Sequence, residues 1–147
     1  MRKYKFQYLI ILVFIISLFF NAITVSDYNG IIKYNAGELL LSGFFAFFGG
    51  GIFETIIWSA NPLFLKSIII SRKYPQVAIL FSTLSFGLSL SFLFWKEILV
   101  SESGRTGKII EFNFGYWIWI MSILLLNLYN IYSIIIGTKN KTLFKKS

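Results

Sequence analysis

The stretch FGYWIWIMSILLLNLYNIYSIII, residues 114–136, contains no charged side chain. An α-helix rises about 1.5 Å per residue, so a helix of this length reaches across the hydrocarbon core of a bilayer, which is about 30 Å thick. The stretch therefore predicts a membrane-spanning helix, and this prediction decides how the rest of the chain is interpreted.

The composition of the whole chain agrees with a lipid environment. Hydrophobic residues make up 56% of the 147 residues and charged residues 14%, whereas soluble domains carry about 25% charged residues. A soluble core of this size has no room for 17 Phe, 8 Tyr and 4 Trp, and the mean hydropathy is +0.73. The chain is long enough for one domain, and we expect residues 1–147 to form a single membrane domain.

Two further segments have the length of a span. Residues 6–25 follow a basic N-terminus and contain no charge, and residues 76–95 follow the basic turn Arg72-Lys73-Tyr74-Pro75. A cleavable signal peptide is the alternative interpretation of the first segment. We favour an uncleaved helix, because the apolar run is long for a signal peptide and no clear cleavage site follows it.

Segment two, residues 39–71, is too long for one crossing, because as a single helix it would measure about 50 Å. One interpretation breaks it at Gly49-Gly50-Gly51, with a short interfacial helix over 38–48 and a crossing helix over 52–71 that is kinked at Pro62. The other places the crossing over 38–60 and a short cytoplasmic helix over 63–71. We favour the first, since it puts Glu54 near one membrane face and Lys66 near the other.

These segments predict an all-α fold, an up-and-down bundle of four transmembrane helices with a broken or kinked second segment. The distribution of cations predicts that both termini are cytoplasmic, in a bacterial inner membrane. Nine cations then lie inside, namely Arg2, Lys3, Lys5, Arg72, Lys73, Lys139, Lys141, Lys145 and Lys146. Four lie outside, namely Lys33, Lys96, Arg105 and Lys108, together with five acids, namely Asp27, Glu38, Glu97, Glu102 and Glu111.

Several classes of chemistry are excluded or disfavoured. The chain has no Cys and no His, which removes disulfides, thiol nucleophiles, zinc-thiolate sites and the usual haem ligands. We therefore expect no metal, no cofactor and no enzymatic activity, and no recognition motif favours nucleic acid. The loop Ser103-Gly104-Arg105-Thr106-Gly107-Lys108 is not a phosphate-binding loop, because two residues separate its glycines and Ile109 follows the lysine.

Three residues of segment two are candidates for a polar site within the membrane. Glu54 is the only carboxylate inside an apolar stretch, so it is either a proton or cation site or a boundary residue that reaches the outer face. Pro62 removes a backbone donor and frees a carbonyl one turn back, near Trp58, and Asn61 can satisfy such a group. A ligand site at a broken helix and a tolerated kink both fit this pattern.

Two further sets of small or polar residues predict helix packing. Ala78, Ser82, Ser85 and Ser89 recur on one helical face, where small side chains let helices approach closely. Asn127 and Asn130 need hydrogen-bond partners in lipid, and the serine face or Asn61 would supply them. We expect a buried polar network, with a pore lining or a substrate site as the alternative. The packing prediction fails if the three serines face lipid.

The order of several motifs resembles a group of small, uncharacterised bacterial multi-pass membrane proteins. The residues that carry the resemblance are W-S-A-N-P-L at 58–63, K-E-I at 96–98, S-G-x-x-G-K-I at 103–109 and G-Y-W-I-W at 115–119. The resemblance covers roughly residues 37–125 and implies a membrane protein, but no activity or functional residue. A genome rich in A and T would suit the abundant Ile, Lys, Asn and Phe.

These observations predict a non-catalytic accessory or partner-binding membrane protein. Its partners would be the lipid bilayer and another membrane protein, or a second copy of this chain. The alternative is a small oligomeric transporter or channel that uses Glu54, Asn61 and the break at Pro62.

Overall fold

The protein is a mixed α/β structure. The computed structural model describes residues 2–28, 30–101 and 104–144, and side chains only within residues 5–136 of these ranges. The helices are α1 (Arg2–Ser17), α2 (Ala36–Phe45), α3 (Ile52–Trp58), α4 (Ala60–Ile70), α5 (Pro75–Ser91) and α6 (Phe114–Phe144). The strands are β1 (Asn21–Asp27), β2 (Gly30–Asn35), β3 (Glu97–Leu99) and β4 (Thr106–Phe112). Glu102, Ser103, Lys145 and Lys146 lie outside the described residues.

The four strands form one antiparallel sheet, so the all-α prediction is wrong. β1 and β2 form one hairpin, β3 and β4 form a second, and β1 pairs with β4 to give the order β2-β1-β4-β3. Thr24 pairs with Glu111 and Ser26 with Lys108 across the junction of the two hairpins. Residues 21–35 and 97–112 thus combine into a single folded unit, although residues 21–25 were predicted as the end of the first span.

The predicted helix over residues 6–25 is also wrong in its second half. α1 ends at Ser17, and β1 begins at Asn21. The run Ile23-Thr24-Val25 is β-branched, which favours an extended chain, and β1 hydrogen-bonds to a strand on each side. This pairing lies between segments distant in sequence, and it overrides the apolar pattern that suggested a continuous helix.

Three helical segments in the described part of the chain are long and apolar enough to cross a membrane. They are Ile52–Ile70, Pro75–Phe94 and Phe114–Ile136. α1 has 16 residues, or about 24 Å at the rise of an α-helix, and falls short of a span. The predicted bundle of four spanning helices is corrected to three candidate spans with a shorter helix beside them.

Segment two is interrupted twice. A 3₁₀ turn over Ala46–Gly49 follows α2, and Gly50 adopts a left-handed conformation with φ of 85°, which suits a residue without a side chain. Its backbone N–H donates to the carbonyls of Ala46 and Phe47, which ends the first helical piece. The second interruption separates α3 from α4 at Ser59, three residues before Pro62.

The packing of α1 on α6 defines two ends of the molecule. At one end, which we call the sheet end, the ring of Phe20 contacts that of Phe114 with centroids 5.3 Å apart. At the other, which we call the opposite end, Phe6 stacks on Tyr129 at 5.3 Å. The Gln7 side-chain amide donates to Ser71 Oγ at 2.7 Å, so the turn between α4 and α5 also lies at the opposite end.

The apolar core runs from the helices to the face of the sheet that packs against them. In the helical part it contains Ile10, Phe14, Phe64, Ile123 and Leu126. Towards the sheet it continues through Ala22, Ala36, Tyr116 and Ile120, and then through Ile23, Val25 and Ile98. The sheet is therefore packed against the helices and is part of the same domain.

Candidate functional site

A cavity of about 770 Å³ lies at the sheet end, between the sheet and the start of segment two. Ligand sites in proteins commonly measure about 300–1,000 Å³. Its wall is mainly apolar and includes Leu18, Ile23, Leu39, Leu40, Phe45, Phe48, Ile57, Phe92, Ile98 and Leu99. Eight lining side chains carry polar groups, namely Tyr34, Ser42, Glu54, Trp58, Asn61, Ser101, Tyr116 and Trp119.

One wall of the cavity is formed by residues 36–58, which we call the arm and which comprise α2, the 3₁₀ turn and α3. The arm starts directly after β2, one edge strand of the sheet, and Glu54 near its end contacts β3, the other edge strand. A capping box fixes the start of the arm. Asn35 Oδ1 accepts from the Gly37 N–H at 2.8 Å, and Glu38 Oε2 accepts from the Asn35 N–H at 2.9 Å.

Glu54 joins the far end of the arm to the sheet. The Leu99 backbone N–H donates to Glu54 Oε1 at 2.9 Å. The Val100 N–H donates to the Arg105 carbonyl on the β4 side. Because successive backbone N–H groups of a strand point in opposite directions, the Leu99 N–H points to the free edge of the sheet. The half-buried carboxylate of Glu54 thus satisfies a donor on an unpaired sheet edge and also lines the cavity.

Trp58 holds the two helices of the arm together. Its indole N–H donates to the Leu40 carbonyl at 2.7 Å. The ring lies against Gly43, where an added Cβ would come within 2.6 Å of Trp58 Cδ1. The close approach of α2 and α3 therefore requires a glycine at position 43.

Asn61 connects the break in segment two to α6. Pro62 is in the first turn of α4 and has no N–H, so no backbone donor at this position can reach the Trp58 carbonyl. The Asn61 side-chain amide donates to that carbonyl at 3.0 Å, and Asn61 Oδ1 accepts from the Trp119 indole N–H at 2.9 Å. Asn61 is buried, whereas Pro62 is exposed.

Asn127 and Asn130 form a separate network that is not part of the cavity wall. The Asn130 amide donates to Ser67 Oγ at 2.9 Å and to Ser82 Oγ at 3.2 Å. The Asn127 amide donates to Thr83 Oγ1 at 2.8 Å and also reaches Ser82. Of the five predicted polar-site residues, the structure thus brings Glu54 and Asn61 to the cavity. Pro62 and the two asparagines of α6 are not part of its wall.

The small face of α5 points into the protein. Ala78, Ser82, Ser85 and Ser89 all have no exposed surface. Ser85 Oγ donates to the Ala60 carbonyl at 2.7 Å, and the Tyr116 hydroxyl donates to the Ser89 carbonyl at 2.7 Å. No buried side-chain nitrogen or oxygen in the described part of the chain lacks a hydrogen-bond partner. These buried polar groups therefore find their hydrogen-bond partners within the protein.

Tyr34 contributes a neutral hydroxyl to the cavity. Burial raises the pKa of its phenol, and the nearby carboxylates of Asp27 and Glu38 raise it further. The group therefore stays protonated at neutral pH and can donate a hydrogen bond.

Sequence reasoning missed most of the cavity. Tyr34 and the β3 residues enter it only because the sheet forms, and the sheet itself was not predicted. The available signals were the β-branched run in β1 and the Ile-rich β4, both of which are typical of strands.

Comparison with known proteins provides no family assignment for this geometry. No protein-family model, curated protein or solved structure matches the chain.

Proposed function

We propose that this chain is a non-catalytic, multi-pass membrane protein that acts by binding another molecule in the cavity beside the arm. The observation that carries the proposal is the cavity itself, which has a mainly apolar wall and a size typical of ligand sites. The lack of His and Cys in the sequence supports a binding role over a catalytic one.

The exposed apolar surface of the helices supports insertion in a membrane. Ile69 is 77% exposed and Phe53 is 71% exposed, both in the candidate span over Ile52–Ile70. Leu80 on α5 and Leu128 on α6 are likewise exposed. A surface of this kind is stable in hydrocarbon and would drive association in water.

The charge at the two ends supports an orientation with the sheet end outside the cytoplasm. At the opposite end lie Lys5, Arg72 and Lys73. The described terminal cations, namely Arg2 and Lys3 of α1 and Lys139 and Lys141 of α6, belong to the same end of these two helices. Every described carboxylate belongs to the sheet or the arm, namely Asp27, Glu38, Glu54, Glu97 and Glu111. Short cytoplasmic segments of membrane proteins are enriched in Lys and Arg.

Two substitutions in the arm test the proposal. Leu40 is half-buried and lines the cavity, whereas Leu41 is 70% exposed and is not part of its wall. We expect wild type and Leu41→Trp, purified from their native membrane, to retain the same bound molecule in native mass spectrometry. Leu40→Trp puts a bulkier side chain into the cavity and obstructs it, so this variant should lose the bound molecule.

Melting temperature in detergent serves as the folding control. If Leu40→Trp lowers the melting temperature, Ser42→Phe is used in its place. Ser42 lines the cavity but is exposed, so a larger side chain there disturbs the packing less. The same bound species in wild type and in the obstructed variants would overturn the proposal.

The polar residues inside the helical part favour this binding role over a channel or transporter. The polar groups of α5 and α6 hydrogen-bond to one another and to α4, so they support packing of the helices.

A further inference from the structure

We infer that the cavity binds a membrane phospholipid whose headgroup ends in a primary ammonium, with its acyl chain along the apolar wall and its ammonium at Glu54. This inference rests on the proposed function and names the class of ligand.

The route into the cavity supports a lipid. Phe45 and Phe48 line the cavity and are still 62% and 81% exposed, so the cavity is open along this side of the arm. Ile52 and Phe53 follow within one turn and are exposed at the start of a candidate span. An acyl chain can therefore pass from the surrounding lipid to the cavity without leaving an apolar environment.

A peptide segment of a partner protein fits the wall less well. Each residue of a peptide brings a backbone N–H and C=O that need partners when buried. Two of the lining polar groups are already engaged within the protein, since Trp58 donates to Leu40 and the amide of Asn61 is used at both of its ends. An acyl chain makes no such demand.

Glu54 accounts for the headgroup. Its carboxylate sits in an apolar wall, and an ionised group there is costly unless it is paired. Its described hydrogen bond uses Oε1 and comes from a neutral backbone N–H, and no described Lys or Arg forms an ion pair with it. A primary ammonium supplies three donors and the missing positive charge.

Quenching of tryptophan fluorescence tests this inference. Trp58 and Trp119 line the cavity, whereas Trp95 and Trp117 do not. The full chain carrying Trp95→Phe and Trp117→Phe therefore reports on the cavity. The probes are two lysophospholipids with the same brominated acyl chain, one with an ethanolamine headgroup and one with glycerol, because bromine quenches an indole that it contacts.

We expect saturable quenching by the ethanolamine lipid, with binding about tenfold tighter than that of the glycerol lipid, as for a charge-assisted hydrogen bond. Glu54→Gln should remove this preference, since the amide keeps an acceptor for the Leu99 N–H but carries no charge. Ser42→Phe, which obstructs the cavity without adding an indole, should abolish saturable binding of both lipids. Leu41→Phe, outside the cavity wall, should leave the preference unchanged.

Equal binding of both lipids, unaffected by Glu54→Gln, would overturn the assigned headgroup and leave the proposed function standing. Quenching that rises without saturation would overturn a lipid ligand altogether. A peptide retained by wild type and lost in Leu40→Trp would replace the lipid with a protein partner. Wild-type protein that carries no bound molecule in native mass spectrometry would instead contradict the proposed function.

Discussion

Asn61 compensates for the backbone donor that Pro62 lacks. Its amide satisfies the Trp58 carbonyl, and its carbonyl oxygen accepts from Trp119. We predict that Asn61→Ala destabilises the protein by about 1–3 kcal/mol for each buried group left without a partner. The measurement is thermal unfolding in detergent.

The double variant Asn61→Ala with Pro62→Ala provides the control. Alanine at position 62 restores a backbone N–H that can donate to the Trp58 carbonyl as in a regular helix. The double variant should therefore be more stable than the sum of the two single effects predicts. Additive losses would show that Asn61 and Pro62 act independently.

Tyr34 makes the stability of the sheet end sensitive to alkaline pH. The pKa of its phenol is raised in the folded protein, chiefly by burial and then by Asp27 and Glu38, so the folded state holds this proton more tightly than the unfolded state. The stabilisation is fully present below the unfolded pKa of about 10 and is lost as the pH rises through the folded value.

We therefore predict that the melting temperature of wild type falls more steeply above about pH 10 than that of Tyr34→Phe. The comparison is made at equal detergent concentration. Parallel curves for the two proteins would contradict the assignment of this titration to Tyr34.

The sheet is the element that joins the two halves of the chain. Its central pair connects β1 with β4, so residues near position 25 pair with residues near position 109. The chain has no cysteine, and engineered pairs therefore report on this contact without background.

We predict that Ser26→Cys with Lys108→Cys forms a disulfide under mild oxidation, because Ser26 and Lys108 are paired neighbours. Ser26→Cys with Glu97→Cys is the matched control. Glu97 is on β3, which lies one strand further away, or about 10 Å from β1. Gel mobility with and without reductant measures the result, and equal crosslinking of both pairs would contradict the strand order.

The helices after position 75 were predicted well because their signal is local. The structure has α5 at Pro75–Ser91 against a predicted helix over 76–95, and α6 starts at Phe114 as predicted. Apolar length alone indicates such segments. The first segment was predicted poorly because Ile23, Thr24 and Val25 are as apolar as a helix requires, and their strand conformation depends on β4, more than eighty residues away.

The whole molecule has a basic end and an end that carries the sheet, which sets the expected orientation in the membrane. Ile110 is exposed on β4 at the sheet end, and Lys73 is exposed in the turn at the opposite end. We predict that Ile110→Cys reacts with a membrane-impermeant maleimide in intact cells. Lys73→Cys should react only after the membrane is opened.

Total labelling in detergent controls for the reactivity of each cysteine. The reverse pattern, with position 73 labelled in intact cells, would invert the proposed orientation. Neither result changes the fold, because the two ends are defined by contacts within the protein.

The sequence by itself determined that most of this chain suits hydrocarbon. It also determined the positions of the long apolar helices and of the small and polar residues on α5 and α6. These features are local, since they depend on composition and on the period of a helix. Only the tertiary structure decided that residues 21–35 and 97–112 form one sheet and that Glu54, Asn61 and Trp119 meet at one cavity. Strand pairing and cavity formation depend on contacts between distant segments, and no local pattern in a single sequence specifies which segments will meet.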